Sequence, residues 1–147
     1  MILCDSGVWL ALALEGHSHH ATARAWLETV DDPASVLFCR ATQQSLLRLL
    51  TNASVHAAAG SAPLTNRQAW SVYDALLADV RIVFQPREPA GMESRWRQLA
   101  ARDTASPKLW MDAYLAAFAL AGGYRMVTID AAFRQFDGLN LVLLGAS

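Results

Sequence analysis

Short apolar runs alternate along the chain with longer segments in which apolar residues recur every three or four positions. The short runs predict strands that are buried on both faces of a sheet, and the longer segments predict helices with one buried face. The predicted strands span residues 2–4, 35–39, 81–84, 125–129 and 141–144. The predicted helices span residues 7–15, 21–30, 41–50, 55–59, 67–78, 88–103, 107–121 and 131–136.

The alternation of strands and helices indicates the class of fold. Parallel strands joined by helices follow right-handed crossovers, which cover both faces of a sheet. We therefore expect a three-layer α/β/α sandwich with a five-stranded, mainly parallel sheet. No repeat, linker or low-complexity segment interrupts the 147 residues, so we expect a single domain spanning residues 1–147.

Composition excludes several classes of protein. With 54% hydrophobic and 17% charged residues, the chain is not a disordered protein. Its formal net charge of -1 means that contact with nucleic acid would need a local basic patch or a bound cation. Cys4 and Cys39 lack zinc-site spacing, so we expect buried thiols in a reducing compartment. No apolar run approaches the roughly 20 residues that span a bilayer and no basic leader is present, so we expect a cytoplasmic protein.

Two aspartates stand immediately after predicted strands, where a helix begins. Asp5 follows the first strand, and Asp130 follows the fourth. In open α/β sheets ligands bind outside the carboxyl ends of the strands, so both carboxylates are expected at the floor of such a crevice. A simpler role as a helix N-cap is also open for each, and Asp5 followed by Ser6 suits it well. The two roles are compatible, because each carboxylate has two oxygens.

A third aspartate, Asp112, is the one charged residue in the otherwise apolar segment 109–121. Ser106 is the expected N-cap of its helix and Pro107 the first helical residue. With that start, Asp112 lies beyond the first turn, where the helix dipole no longer stabilises a carboxylate. A charge on an apolar helix face requires a partner. An arginine or a hydrogen-bonding cluster could supply it, and a metal ion is the sharper hypothesis.

If the fourth strand lies beside the first, Asp5, Asp112 and Asp130 meet at one edge of the sheet. Three carboxylates in one place repel one another unless a cation is held between them. Oxygen ligands alone favour Mg²⁺ or Mn²⁺ over zinc.

The polar loop that carries His17, His19 and His20 is a second candidate for metal binding. It is the weaker one, because histidines in such loops are generally solvated.

The motifs around these aspartates are similar to those of a known family. The segments LCDSGVWLAL, TQQSLLRLLTN, WMDAYLAAFA and VTIDAAF resemble the PIN-domain ribonucleases, specifically the VapC-type toxins of toxin–antitoxin pairs. The similarity covers nearly the whole chain. It implies a sheet of strand order 3-2-1-4-5 and hydrolysis of RNA phosphodiesters by a water activated by Mg²⁺ or Mn²⁺. It also implies a homodimer and a cognate antitoxin that occludes the site.

The resemblance assigns the role of metal ligand to Asp5, Asp112 and Asp130. Family members usually have a glutamate in the helix after the second strand, about five residues before the arginine that matches Arg48, and Gln43 stands there in this chain. Gln43 would complete the catalytic set as a neutral and weaker ligand. The cluster therefore has three negative charges where the family has four.

Further candidates concern the substrate. Arg40, at the carboxyl end of the second strand, is the first candidate for a contact with a substrate phosphate. Arg48 ranks behind it, because an internal partner would occupy its side chain. Thr128 and Ser6 are two further candidates for contact with substrate, and Thr128 could also support a metal ligand or a water beside the aspartates.

Two other functions remain open. The substitution at Gln43 would suit a catalytically silent PIN-like module that binds RNA or its antitoxin. A phosphohydrolase of the haloacid-dehalogenase type also carries an aspartate at the end of its first strand. That chemistry expects a second aspartate two residues later, where this chain has Gly7, so it ranks low.

Overall fold

The computed structural model describes residues 1–145. Its strands are β1 (Ile2–Cys4), β2 (Val36–Phe38), β3 (Ile82–Phe84), β4 (Arg125–Thr128) and β5 (Leu141–Leu143). Its α-helices are α1 (Ser6–Ala13), α2 (His20–Leu27), α3 (Arg40–Leu50), α4 (Ala53–Ala58), α5 (Asn66–Leu77), α6 (Met92–Ala100) and α7 (Leu109–Gly122). A short 3₁₀ helix, Ala131–Gln135, lies between β4 and β5.

The five strands form one sheet in the order β3-β2-β1-β4-β5, and all of its pairs are parallel. The predicted order is confirmed, and the sheet is entirely parallel where a mainly parallel one was expected. Cys4 is in register with Val127, and the pairing continues one residue further, where the Asp5 amide donates to the Val127 carbonyl at 3.0 Å. The ends of β1 and β4 are therefore side by side.

Helices cover both faces of the sheet, as the predicted three-layer sandwich requires. One core lies between the sheet and α1, α2, α3 and α5, and in it Trp9 stacks on Phe38 with ring centroids 3.7 Å apart. The other core lies between the sheet and α6, α7 and the 3₁₀ helix, with Phe118 and Phe133 almost fully buried. Strands buried on both faces explain why their segments are continuously apolar.

Two helices begin later than the sequence predicts. Helix α7 was expected from Pro107 with Ser106 as its cap, but 106–108 form a turn in which the Leu109 amide donates to the Ser106 carbonyl at 3.0 Å. The Ser106 hydroxyl is bonded to Thr104 instead of capping the helix. Asp112 therefore lies in the first turn of α7, where the helix dipole does favour a carboxylate, contrary to the expectation.

The segment 88–103 contains a shorter helix than predicted. Helix α6 begins at Met92 because Gly91 before it adopts a left-handed conformation with φ of 76°, which interrupts the helical backbone. The other predicted boundaries differ from the observed ones by three residues at most.

Cys4 and Cys39 are both buried free thiols, as predicted. No helix within residues 1–145 is long and apolar enough to cross a membrane.

Candidate active site

Asp5 serves as an N-cap and also takes part in a polar network at the end of β1. One carboxylate oxygen accepts a long hydrogen bond from the Gly7 amide, 3.4 Å, at the start of α1. The other accepts the hydroxyl of Thr128 at 2.7 Å, from the end of β4. Burial raises the pKa of Asp5, hydrogen bonds from Thr128 and from backbone amides lower it, and the nearby charge of Asp130 raises it.

Thr128 connects Asp5 to Asp130. Its hydroxyl oxygen accepts the Asp130 amide at 3.0 Å while it donates to Asp5, so one side chain positions both strand ends. Asp130 caps the 3₁₀ helix by accepting the Ala132 amide on Oδ1 at 2.9 Å. Thr128 is fully buried and contacts the carboxylates, which agrees with the expectation that it supports a ligand, whereas a direct contact of Thr128 with substrate stays a prediction.

Asp112 brings a third carboxylate toward this edge of the sheet from the first turn of α7. Burial raises the pKa of Asp112 to about 6, and the charges of Asp5 and Asp130 contribute in the same direction. Within residues 1–145 its carboxylate has no hydrogen bond or ion pair, so none of the expected protein partners satisfies it. The structure therefore brings the three predicted aspartates into one electrostatic cluster.

The cluster is not a preformed metal cage. In the described part of the chain, no three side chains of His, Cys, Asp or Glu are grouped closely enough to hold a metal ion. Coordination by Asp5, Asp112 and Asp130 would therefore require their side chains to converge.

Two cavities flank the cluster, and each contains a cationic side chain. The first, about 450 Å³, is lined by Asp5, Ser6, Ser45 and Arg48 among others. The second, about 490 Å³, is lined by Asp112 and Asp130 and by the basic residues Arg102 and Lys108. Ser6, predicted to contact substrate, is thus placed beside Asp5 at the cavity surface.

The structure does not bring Gln43 to the carboxylates. It is buried on the side of α3 that faces α5, and its amide oxygen accepts the Arg40 guanidinium at 2.6 Å. Burial raises the pKa of Tyr73 on α5, and a hydrogen bond from Gln43 acts against that effect. Its side chain is therefore engaged away from the cavity at Asp5, so it is not placed to act as the fourth ligand.

Arg40 is likewise held away from the cluster. Its guanidinium carbon lies 4.5 Å from the centre of the Phe84 ring, at the end of β3, and β2 separates β3 from β1. Arg48 is the arginine that lines the cavity at Asp5, and no ion pair or hydrogen bond within residues 1–145 engages its guanidinium. Arg48, which the sequence ranks second, is thus the arginine beside Asp5, and Arg40, ranked first, is not.

Ser45 lines the cavity at Asp5, although it is not among the site residues predicted from the sequence. Five residues of α3 and the segment after it line the cavity at Asp5, and three of them, Ser45, Arg48 and Asn52, recur at spacings of three and four; the other two are Leu49 and Thr51. Gln43 is about 200° around the helix from Ser45, at 100° per residue. Helical spacing from Arg48 could have identified this face, since positions three and four apart share one side of a helix.

The histidine loop provides no metal site in the described residues. The His20 ring is hydrogen-bonded to the Ala11 carbonyl at 2.7 Å, and the His17 ring accepts the His19 amide at 3.0 Å. Burial and the neighbouring histidines lower the pKa of His17. These rings order the turn before α2.

The raised pKa of Asp112 predicts a pH-dependent effect on stability. Because its pKa is higher in the folded than in the unfolded protein, the ionised carboxylate destabilises the fold above about pH 6, and the penalty disappears below about pH 4. Asp112→Asn should therefore raise the Tm of metal-free protein near pH 7.5 and leave it unchanged near pH 4. Thermal unfolding in EDTA measures this. Asp31→Asn, an exposed control, should change neither value, and a lower Tm for Asp112→Asn near pH 7.5 would contradict the assignment.

The chain is similar to known proteins over nearly its whole length. The PIN domain family model matches residues 2–139. Ribonuclease VapC41 of Mycobacterium tuberculosis (strain ATCC 25618 / H37Rv) is 60% identical over 144 residues, which cover 98% of this chain and 99% of that protein.

Two solved structures share the fold. The crystal structure of Mycobacterium tuberculosis VapC20, described as a sarcin-ricin loop cleaving toxin, has a TM-score of 0.64 at 19% identity and is matched over 95% of this chain and 98% of its own. The crystal structure of VapBC2 from Rickettsia felis, bound to a DNA fragment from their promoter, has a TM-score of 0.67 at 15% identity, over 98% and 99% of the two chains. With the family match and the full-length similarity to VapC41, the chain belongs to the PIN-domain family and is a VapC-type member of it.

Proposed function

We propose that this protein is a metal-dependent endoribonuclease toxin that hydrolyses RNA phosphodiester bonds and is inhibited by a cognate antitoxin. The observation that carries the proposal is that Asp5, Asp112 and Asp130 all lie near the carboxyl ends of β1 and β4 and are electrostatically coupled. The charge of Asp130 raises the pKa of Asp5, the charges of Asp5 and Asp130 raise the pKa of Asp112, and the cationic Arg48 lies in the same cavity as Asp5. Full-length similarity to a ribonuclease supports the reaction class.

The donor set fits a hard divalent cation. Asp112 has both oxygens free of protein partners within residues 1–145, and Asp130 uses only Oδ1 for its helix cap. Carboxylate oxygens without nitrogen or sulfur donors suit Mg²⁺ or Mn²⁺. The chemistry that such a cation supplies when bound is a nucleophilic water at neutral pH and neutralisation of charge on the phosphate oxygens.

The chain's own residues have separate tasks in this scheme. Thr128 holds the Asp5 carboxylate against rotation and fixes the backbone at Asp130. Asp112 is ionised at neutral pH, since its pKa is about 6, and it is therefore available to a cation. Arg48 offers a guanidinium to a phosphate at the edge of the cluster, where bidentate contacts are geometrically favoured.

The proposed partners are an RNA substrate, an antitoxin and a second copy of the chain. The similar proteins include the ribonuclease VapC41, the sarcin-ricin loop cleaving toxin VapC20 and the VapBC2 assembly, which support RNA as the substrate and a bound antitoxin as the regulator. We further propose a homodimer, as in the family the sequence resembles, that acts in the cytoplasm. A net charge of -1 makes local groups such as Arg48, Arg102 and Lys108 responsible for attracting RNA.

Asp112→Asn tests the reaction directly. Loss of one ligand should lower Mn²⁺-dependent RNA cleavage by at least roughly 100-fold, because even residues that merely orient a ligand cost 10- to 100-fold. Cleavage of a labelled RNA and growth arrest in cells measure the effect. Asp31→Asn is the control. Asp31 is exposed near the amino ends of the strands, away from the aspartate cluster, so this variant should behave as the unmodified protein. Full activity in Asp112→Asn would exclude the assignment.

Calorimetry of cation binding tests the alternative of a catalytically silent module. Only three carboxylates stand where the family has four, and this favours weak cation binding. If calorimetry detects no heat of Mg²⁺ or Mn²⁺ binding even with RNA present, the protein is a silent RNA- or antitoxin-binding module. Measurable binding together with RNA cleavage supports the nuclease.

The orientation of α3 predicts which substitution restores the fourth carboxylate. Ser45→Glu places an acid in the cavity with Asp5 and should tighten Mn²⁺ binding on the order of tenfold. Gln43→Glu, the matched control on the opposite side of α3, should pair with Arg40 and leave the affinity unchanged. Titration calorimetry measures the Mn²⁺ affinity of both variants. Tighter binding in Gln43→Glu alone would show that position 43 faces the cation.

A further inference from the structure

The cavity of about 490 Å³ at Asp112 and Asp130 has basic as well as acidic residues in its lining. The basic ones are Arg102, from the segment after α6, and Lys108, immediately before α7. This cavity shares no lining residue with the cavity at Asp5, so it is a separate opening of the same aspartate cluster. Two positive side chains therefore stand beside two of the three carboxylates.

Arg102 is held in place by the 3₁₀ helix. Its guanidinium donates to the side-chain oxygen of Gln135 at 2.7 Å, and the side-chain nitrogen of Gln135 donates to the Ala132 carbonyl at 2.9 Å. The Ala132 amide, in turn, donates to Oδ1 of Asp130 at 2.9 Å. Because Gln135 and Asp130 are attached to the same short helix, that helix sets the position of the Arg102 guanidinium relative to the Asp130 carboxylate.

Neither basic side chain is used to balance a charge of the fold. Arg102 and Lys108 are exposed, and neither forms an ion pair within residues 1–145. Lys108 occupies the N-cap position of α7 without a capping hydrogen bond from its side chain. The helix dipole opposes a cation at that end, so Lys108 does not stabilise α7. The pair is therefore available to an anionic ligand.

We infer that Arg102 and Lys108 bind the phosphate next to the scissile one in the substrate RNA, and that Gln135 positions Arg102 for this contact. The inference rests on the proposed ribonuclease function. An RNA whose scissile phosphate lies at the aspartate cluster brings its neighbouring phosphate close to negative charges, which repel it. Two positive charges in the same cavity offset this repulsion, and the planar guanidinium of Arg102 suits a bidentate contact with phosphate.

The affinity for a fluorescent single-stranded RNA of mixed sequence, measured by anisotropy in EDTA to prevent cleavage, tests the inference. Arg102→Ala and Lys108→Ala should each weaken binding by roughly tenfold, through loss of a charge-assisted hydrogen bond. The double variant should lower the slope of log affinity against log salt by about 0.7, the value for one phosphate contact on a single strand. Arg95→Ala is the charge-matched control, because Arg95 is exposed on α6 and lines neither cavity at the aspartates. It should bind RNA as the unmodified protein does.

Cleavage kinetics and modified RNAs locate the contact. In Mn²⁺ each single variant should raise KM and leave kcat nearly unchanged, because a neighbouring phosphate is held equally before and during the reaction. In a series of RNAs, one linkage each is a 2′-deoxy methylphosphonate, which is uncharged, and the reference is the matching 2′-deoxy phosphodiester. The uncharged linkage beside the cleavage site should weaken binding to the unmodified protein but not to the double variant, since the partner charges are already absent.

Gln135→Leu tests the positioning of Arg102. Loss of the acceptor should weaken RNA binding by about threefold in the otherwise unmodified protein and not at all in the Arg102→Ala background. A purely structural effect of Gln135 would lower the affinity in both backgrounds and would contradict its positioning role.

The outcomes separate this contact from the proposed function. Unchanged affinity and KM in Arg102→Ala and Lys108→Ala, with cleavage intact in the unmodified protein, would overturn the inference and leave the ribonuclease standing. A lower kcat with unchanged KM would also overturn it, because these side chains would then act on the reacting phosphate itself. Absence of both RNA binding and cleavage in the unmodified protein would overturn the inference and the proposed function together.

Discussion

The parallel pairing of β4 with β1 is the constraint on which the candidate site depends. It sets Cys4 against Val127, and one residue further along it aligns Asp5 with the end of β4. The hydroxyl of Thr128 then lies within 2.7 Å of the Asp5 carboxylate and accepts the Asp130 amide. A shift of register by one residue would turn Thr128 to the other face of the sheet and separate the two acids.

This arrangement places like charges together at a cost to the fold. Asp5 is held by Thr128 and backbone amides, whereas Asp112 has no comparable partner within residues 1–145 and keeps a raised pKa. Groups whose pKa is perturbed by burial and by neighbouring charges, at the mouth of a cavity, are typical of functional sites. The position of Asp112 in the first turn of α7 offsets part of its cost through the helix dipole.

The sequence was sufficient for most of the fold and for the position of the three aspartates near the ends of β1 and β4, because both depend on local patterns. Continuous apolar runs identify strands buried on two faces, and a lone acid in an apolar helix is conspicuous by itself. The start of α7 was predicted wrongly, because Ser106 and Pro107 suit a helix start and also suit the turn that precedes it. The roles of Gln43 and Arg40 depend on rotation about the α3 axis, which an alignment of motifs does not determine. Ser45 and Arg48 became recognisable only when α3 was seen against Asp5.

We propose above that Asp5, Asp112 and Asp130 together bind one divalent cation. Crystals grown with Mn²⁺, with data collected at a wavelength where manganese scatters anomalously, test it most directly. We expect an anomalous peak among the three carboxylates, with Asp112 turned toward Asp5 and Asp130. A peak elsewhere on the protein, or none at saturating Mn²⁺ with RNA present, would contradict it.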